Sequence, residues 1–237
     1  MIEEINELNE DFDVVFLLER SWWLEELDHL LPHLESKFVI SLDRKLCTYQ
    51  YSERRYGFVS VQGASVIADF VEIMKKRGVK KLIRIGTCGA LQKDINLGDI
   101  IVTSAAIREE GTSSLYVLPQ FPSVCDPAVL WDAYGHLSAT GLKTHVGITW
   151  TTDGRYVESD EKVRFFSEHG VLNVDMETSA FLIVTWMKKI KAISVGIVVD
   201  RPVDDISSDY KGKKDYKTYK SRLSRVVGQV VLSLLEW

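Results

Sequence analysis

Hydrophobic and polar residues alternate along this chain on two length scales. Short apolar runs, rich in β-branched residues, occupy residues 13–18 (DVVFLL), 38–41, 47–51, 58–61, 81–85, 99–106, 144–149 and 192–199 (AISVGIVV). Each has the length of a strand, and the near-continuous ones have the pattern of strands covered on both faces. Longer stretches carry apolar residues at helical spacing. They span 24–34, with Leu24, Leu27, Leu30, Leu31 and Leu34 on one stripe, then 64–77, 126–140, 160–169, 176–190 and 217–237. Gly78 closes the second of these helices, and the turn at 52–57 (SERRYG) leads into a hairpin. Strands separated by helices predict an α/β fold: a three-layer α/β/α arrangement around a central mixed, largely parallel sheet. No repeat, low-complexity segment or linker breaks the pattern, so residues 1–237 read as a single domain.

Composition narrows the class. With 237 residues, 46% hydrophobic and 27% charged, the chain can bury a full core and is too apolar for disorder. Its apolar runs are far shorter than a membrane span, and its acidic start lacks the pattern of a signal peptide. A cytoplasmic protein with no membrane partner is therefore expected. The net charge of −5 argues against a nucleic-acid partner, which calls for a basic face. Cys47, Cys88 and Cys125 are an odd set without paired spacing. They read as thiols in a reducing compartment, with no metal site. An enzyme or a small-molecule binder remains.

Three segments carry candidate chemistry. In residues 83–91 (IRIGTCGAL) a buried strand runs into two glycines that flank a Thr and a Cys, with Arg84 just before them. Glycines let backbone N–H groups approach a ligand, and an arginine and a hydroxyl supply donors to an oxyanion at a strand's C-terminal end. A purely structural turn fits the same spacing. In residues 173–180 (NVDMETSA) acidic residues open an apolar helix. They either cap it or, through Glu177, accept hydrogen bonds from a vicinal diol such as a ribose. In residues 198–202 (VVDRP) Asp200 directly follows a buried strand, where it is either catalytic or a turn former.

Taken together and in order, these segments resemble the nucleoside phosphorylase family, the type with hexameric purine nucleoside phosphorylase and uridine phosphorylase members. The run RIGTCGALQKDINLGDIIVTSAAIREEG is similar to its Arg-x-Gly-(Ser/Thr)-x-Gly turn and the Gly-Asp strand that follows, and DMETSA looks like its Glu-Met-Glu-x-x-Ala ribose motif. LPQFPSVCD and THVGIT resemble further segments, so that the likeness spans nearly the whole chain. The resemblance implies a phosphorylase/hydrolase-like fold and the conversion of a nucleoside and inorganic phosphate to a free base and a pentose 1-phosphate. No metal or organic cofactor is implied; phosphate is a co-substrate. Arg84 and Thr87 match phosphate-binding positions, and Arg44 matches an arginine that reaches the neighbouring subunit's phosphate, which implies a homo-oligomer built from dimers, a hexamer in the family. Met176 and Glu177 match the ribose-binding pair. Asp200 matches the acid that protonates a purine base. Cys88, Gly89, Tyr156, Arg155 and Arg201 are candidates to line the base.

This chain departs from the family where a Gly-Asp-Pro-x-Arg phosphate loop follows the first strand, because it has Glu19-Arg20-Ser21-Trp22-Trp23 there. Arg20 is the candidate substitute. The Gln-x-Arg pair that reads uracil in uridine phosphorylases is absent, and Asp200 favours a purine. Uridine, a nucleosidase using water, and a nucleoside-binding protein without turnover remain alternatives.

Overall fold

The computed structural model describes residues 12–31, 35–40, 44–204 and 213–237. Its elements follow the expected alternation. They are β1 (Val14–Leu18), α1 (Trp22–Leu30), β2 (Glu35–Ile40), β3 (Arg44–Tyr51), β4 (Arg54–Ser60), α2 (Ala64–Lys76), β5 (Lys81–Ala90) and β6 (Ile100–Glu109). After these come β7 (Ser123–Val124), α3 (Pro127–Ser138), β8 (Thr144–Thr152), α4 (Asp160–Glu168), β9 (Asn173–Asp175), α5 (Thr178–Met187), β10 (Lys191–Asp200) and α6 (Lys213–Leu235). Short 3-10 turns cover Ser113–Leu115, Arg155–Val157 and Pro202–Asp204. Leu34 and Ser41, at the ends of two expected elements, lie outside the described residues.

All strands among the described residues belong to one mixed sheet. β1 runs parallel to β4 and β5, β5 runs parallel to β10, and β6, β8 and β9 form a second parallel set. β10 also pairs antiparallel with β6, and β9 antiparallel with β5, so the sheet closes on itself through β5, β10, β6, β8 and β9. The hairpin expected at 52–57 joins β3 to β4.

The core follows from the apolar runs. Every residue of β1 is buried, as are Ile193, Val195 and Ile197 of β10. α5 is buried along Thr178–Thr185 and packs on α2, β10 and β6, which explains why its sequence shows no polar stripe. Gly78 closes α2 at φ +74°, a conformation that glycine adopts without steric cost. Among the described residues, no helix is long and apolar enough to cross a membrane. The three cysteines are buried thiols.

One expectation is corrected. The chain does not turn at Gly86-Thr87-Cys88-Gly89; β5 continues to Ala90 because β10 pairs with it as far as Gly89 and β9 takes up Gly89 and Ala90. On its other edge β5 is paired with β1 only along Leu82–Ile85. Between the end of β1 and the start of β9, the edge of β5 at Thr87 therefore faces an opening rather than a strand.

Candidate active site

That opening is one wall of a cavity of about 570 Å³ at the C-terminal ends of β1, β5 and β10. Glu19, Arg20, Thr87, Cys88, Gly89, Met176, Glu177 and Asp200 line it, with Arg155, Tyr156 and Glu158 from the segment after β8. Most residues singled out in the sequence are thus brought together by the strand ends, the place where parallel α/β sheets bind ligands.

Arg84 lies beneath this cavity rather than in its wall. It is 2% exposed, and its guanidinium forms ion pairs with Asp175 (3.0 Å) and Glu177. It also donates to the hydroxyls of Thr178 and Ser194, each at 3.2 Å. Burial alone would lower its pKa, but Asp175, Glu177 and Glu19 outweigh that and raise it, so the group stays charged. Gly86 makes the geometry possible: a Cβ there would lie 2.5 Å from Arg84 Nη2. The arginine expected to meet phosphate is instead turned toward the carboxylates that β9 and the start of α5 deliver to it.

The two acidic residues before α5 divide the roles between which the sequence left a choice. Asp175 does the capping: it accepts from Thr178 N–H at 3.3 Å, from the Thr178 hydroxyl, and from Thr151 Oγ1 at 2.8 Å. Glu177 occupies the N-cap position but makes no cap hydrogen bond. Its Oε1 accepts from Gly63 N–H at 2.8 Å, and its Oε2 from Arg84. Gly63 takes φ +93°, which suits only glycine and turns its N–H toward Glu177. Burial raises the pKa of Glu177, with the Arg84 charge opposing that rise. Gly63 N–H and Arg84 thus fix the Glu177 side chain at the cavity wall, where its oxygens are placed to accept from hydroxyls.

Asp200 sits where β10 shifts register against Gly89. Its Oδ2 accepts from Arg155 Nη2 at 2.7 Å. Burial raises its pKa and Arg155 pulls it down, while Glu19 adds to the rise. Nearby, burial and the charge of Asp200 push Glu158 up to about 7. A half-buried carboxyl with a raised pKa in a cleft is suited to proton transfer.

Asp200 also depends on Gly89. A Cβ at Gly89 would lie 2.5 Å from Asp200 Oδ1 and 2.9 Å from the Pro202 ring. Gly89→Ala is therefore expected to displace the carboxyl and lower turnover by about 100-fold, the scale of a misplacement near 1 Å. Steady-state turnover measured beside a melting curve checks this, because a stable fold with lost turnover is the expected pattern.

The remaining candidates are distributed as follows. Thr87 and Arg20 both engage Glu19: Thr87 N–H and Oγ1 donate to its carboxylate, and Arg20 Nη2 lies 2.9 Å from its Oε1. Met176 and Cys88 line the cavity, and burial pushes the Cys88 thiol well up, which keeps it protonated. Tyr156 stands 97% exposed at the cavity rim. Arg155 is held by Asp200. Arg201, expected near the base, instead pairs with Asp204 and donates to the Lys93 carbonyl, outside the cavity lining. Arg44 begins β3, and its side chain lies outside the described residues. Among the described residues, no cluster of His, Cys, Asp and Glu could hold a metal. Glu158 and the Gly63 N–H were not found from the sequence; one follows a short 3-10 turn and the other is a backbone group, and neither carries a periodic signal.

Comparison with known proteins gives this arrangement a family. The model of the Phosphorylase superfamily matches residues 37–236, and the chain belongs to that family. A DeoD-type purine nucleoside phosphorylase of Buchnera aphidicola is 29% identical over 164 residues, 69% of this chain and 66% of the relative. A guanosine phosphorylase of Halorubrum lacusprofundi is 35% identical over 130 residues, 55% of this chain and 54% of the relative. A DeoD-type purine nucleoside phosphorylase of Bacillus cereus is 37% identical over 151 residues, 60% of this chain and 63% of the relative. The chain thus spans between 54% and 66% of the length of these curated relatives. The crystal structure of a uridine phosphorylase from Vibrio fischeri superposes with a TM-score of 0.80 at 22% identity, covering 96% of this chain and 90% of that one, which establishes the fold.

Proposed function

We propose that this protein is a nucleoside phosphorylase: it breaks the N-glycosidic bond of a purine nucleoside and transfers the pentosyl group to inorganic phosphate. The observation that carries the reading is the pairing of Glu177 and Asp200 across one cavity, one fixed by Gly63 and Arg84, the other held with a raised pKa. The names of the sequence relatives, purine nucleoside and guanosine phosphorylases, support it.

In this reading Met176 packs against the sugar and Glu177 accepts from its hydroxyls. As the C1–N bond breaks, Asp200 gives its proton to N7 of the base, and a phosphate oxygen bonds to C1. Phosphate is taken by Thr87 and Arg20, with the Arg84 charge beneath. Cys88 and Gly89 face the base, and Tyr156 covers its outer side. Arg155 tunes Asp200 rather than reading the base. No metal or organic cofactor enters. A cytoplasmic homo-oligomer in which Arg44 of a neighbouring subunit completes the phosphate site, a hexamer of three dimers, belongs to the same proposal.

A second reading has one observation in its favour. The Glu19 carboxylate engages both Thr87 donors, and a site so filled could work with water as the acceptor. A panel of inosine, guanosine and uridine, each with and without phosphate and read by base release, tests the proposal. Phosphate-dependent release from the purine nucleosides is expected. Release from uridine alone would overturn the purine assignment, and phosphate-independent release the acceptor.

The pH dependence follows from the Asp200–Arg155 pair. Only protonated Asp200 donates, so purine cleavage is present below its pKa and is lost as pH rises through it. Arg155 holds that pKa down against burial. Arg155→Met should therefore move the alkaline limb of the rate profile to higher pH. A limb that stays in place would detach Asp200 from the proton transfer.

A further inference from the structure

The cavity contains an oxyanion seat that the chain fills by itself. At Thr87 the edge of β5 lies between the end of β1 and the start of β9, and its N–H points into the opening rather than to a strand. Beside it stand the Thr87 hydroxyl and the Arg20 guanidinium, which completes a donor set for a small oxyanion. The Glu19 carboxylate meets all of these donors: Thr87 N–H, Thr87 Oγ1 (2.8 and 2.9 Å to its two oxygens) and Arg20 (2.9 Å). Glu19 is 6% exposed, and its own N–H is tied to the Ile85 carbonyl at 3.0 Å, so its backbone fixes the side chain beside the seat. It is also an added negative charge in a cavity that already holds Glu177 and Asp200.

We infer that Glu19 is an internal ligand of this seat and sets the enzyme's demand for its acceptor, so that phosphate enters only by displacing the Glu19 carboxylate from Thr87 and Arg20. The inference rests on phosphate being the acceptor. A tethered carboxylate competes at high effective concentration, and a site open for only a fraction of the time binds its ligand more weakly by that fraction. A seat filled by Glu19 for 90–99% of the time would weaken phosphate binding by about 10- to 100-fold. Arg20, part-exposed, is the cation that can follow Glu19 outward or remain with the incoming phosphate. The hydrogen bonds that hold Glu177 and Asp200 do not involve Glu19, so nucleoside binding is expected to change far less than phosphate binding.

The test compares wild type with Glu19→Gly and Glu19→Gln. Inorganic phosphate is titrated against the melting temperature of each protein in the absence of nucleoside, and the KM for phosphate is measured with inosine. Half-saturation by phosphate should fall at least tenfold in Glu19→Gly. It should fall less in Glu19→Gln, whose amide oxygen still accepts from Thr87 but has lost its charge. Should Glu19→Gly not fold, Glu19→Gln decides alone, with a fall again expected. Equal half-saturation in the folded variants and wild type, or weaker binding in the variants, overturns the inference. The binding titration separates the two layers: tighter phosphate in the variants with no phosphate-dependent base release from any protein would uphold the internal ligand and overturn phosphorolysis. Base release with normal phosphate kinetics in all three would do the reverse.

Discussion

Asp200→Asn is expected to slow cleavage of inosine and guanosine by about 10²- to 10⁴-fold, the usual contribution of a positioned general acid. The substitution keeps the shape of the side chain and an oxygen that still accepts from Arg155 Nη2, so the contact that orients the group survives. Only the transferable proton is lost. Uracil leaves with its charge shared between the ring nitrogen N1 and its carbonyl oxygens and has no N7, so any uridine cleavage should change far less. The quantity to measure is the ratio of purine to uridine turnover in wild type and variant, with a melting temperature for each. A ratio that does not move at equal stability would remove Asp200 as the acid. If Asp200 only closes the turn before Pro202, both activities should drop together with stability.

Arg84→Met should instead act on the fold. The guanidinium is enclosed with Asp175 and Glu177, and Met leaves two buried carboxylates without their counter-charge. Breaking one side of a buried ion cluster costs about 3–5 kcal/mol. For a chain of this size that lowers Tm by roughly 10 °C. Loss of Arg84 also frees Glu177 to rotate, so whatever folded protein remains should bind nucleoside poorly. A variant with wild-type Tm and a defect confined to phosphate would contradict the structural role and return Arg84 to direct phosphate contact.

How much of this was legible in the sequence differs from element to element. β1 and β10 were readable because a near-continuous apolar run of five to eight residues, Val14–Leu18 in one and residues 192–199 in the other, fits a buried strand. β9 was not, since Asn173–Asp175 is three residues long and owes its strand geometry to β5 and β8 on either side. The glycines at 86 and 89 look like a turn in isolation. Their real causes are non-local: Gly86 makes room for Arg84, and Gly89 for Asp200. The candidate residues clustered because the motifs sit at strand ends, which topology brings together. What escaped was the choice of partner. Whether Arg84 faces a ligand or two carboxylates, and whether Glu19 repels an oxyanion or takes its place, depends on side-chain directions set by strands far away in the chain.

Transfer of the pentosyl group from a purine nucleoside to phosphate is read from the products. Wild-type protein, incubated with inosine and phosphate, should release hypoxanthine and pentose 1-phosphate in equal amounts, and should release no base when phosphate is left out. Hypoxanthine accompanied by free pentose, formed at the same rate without phosphate, would make water the acceptor and the protein a nucleosidase.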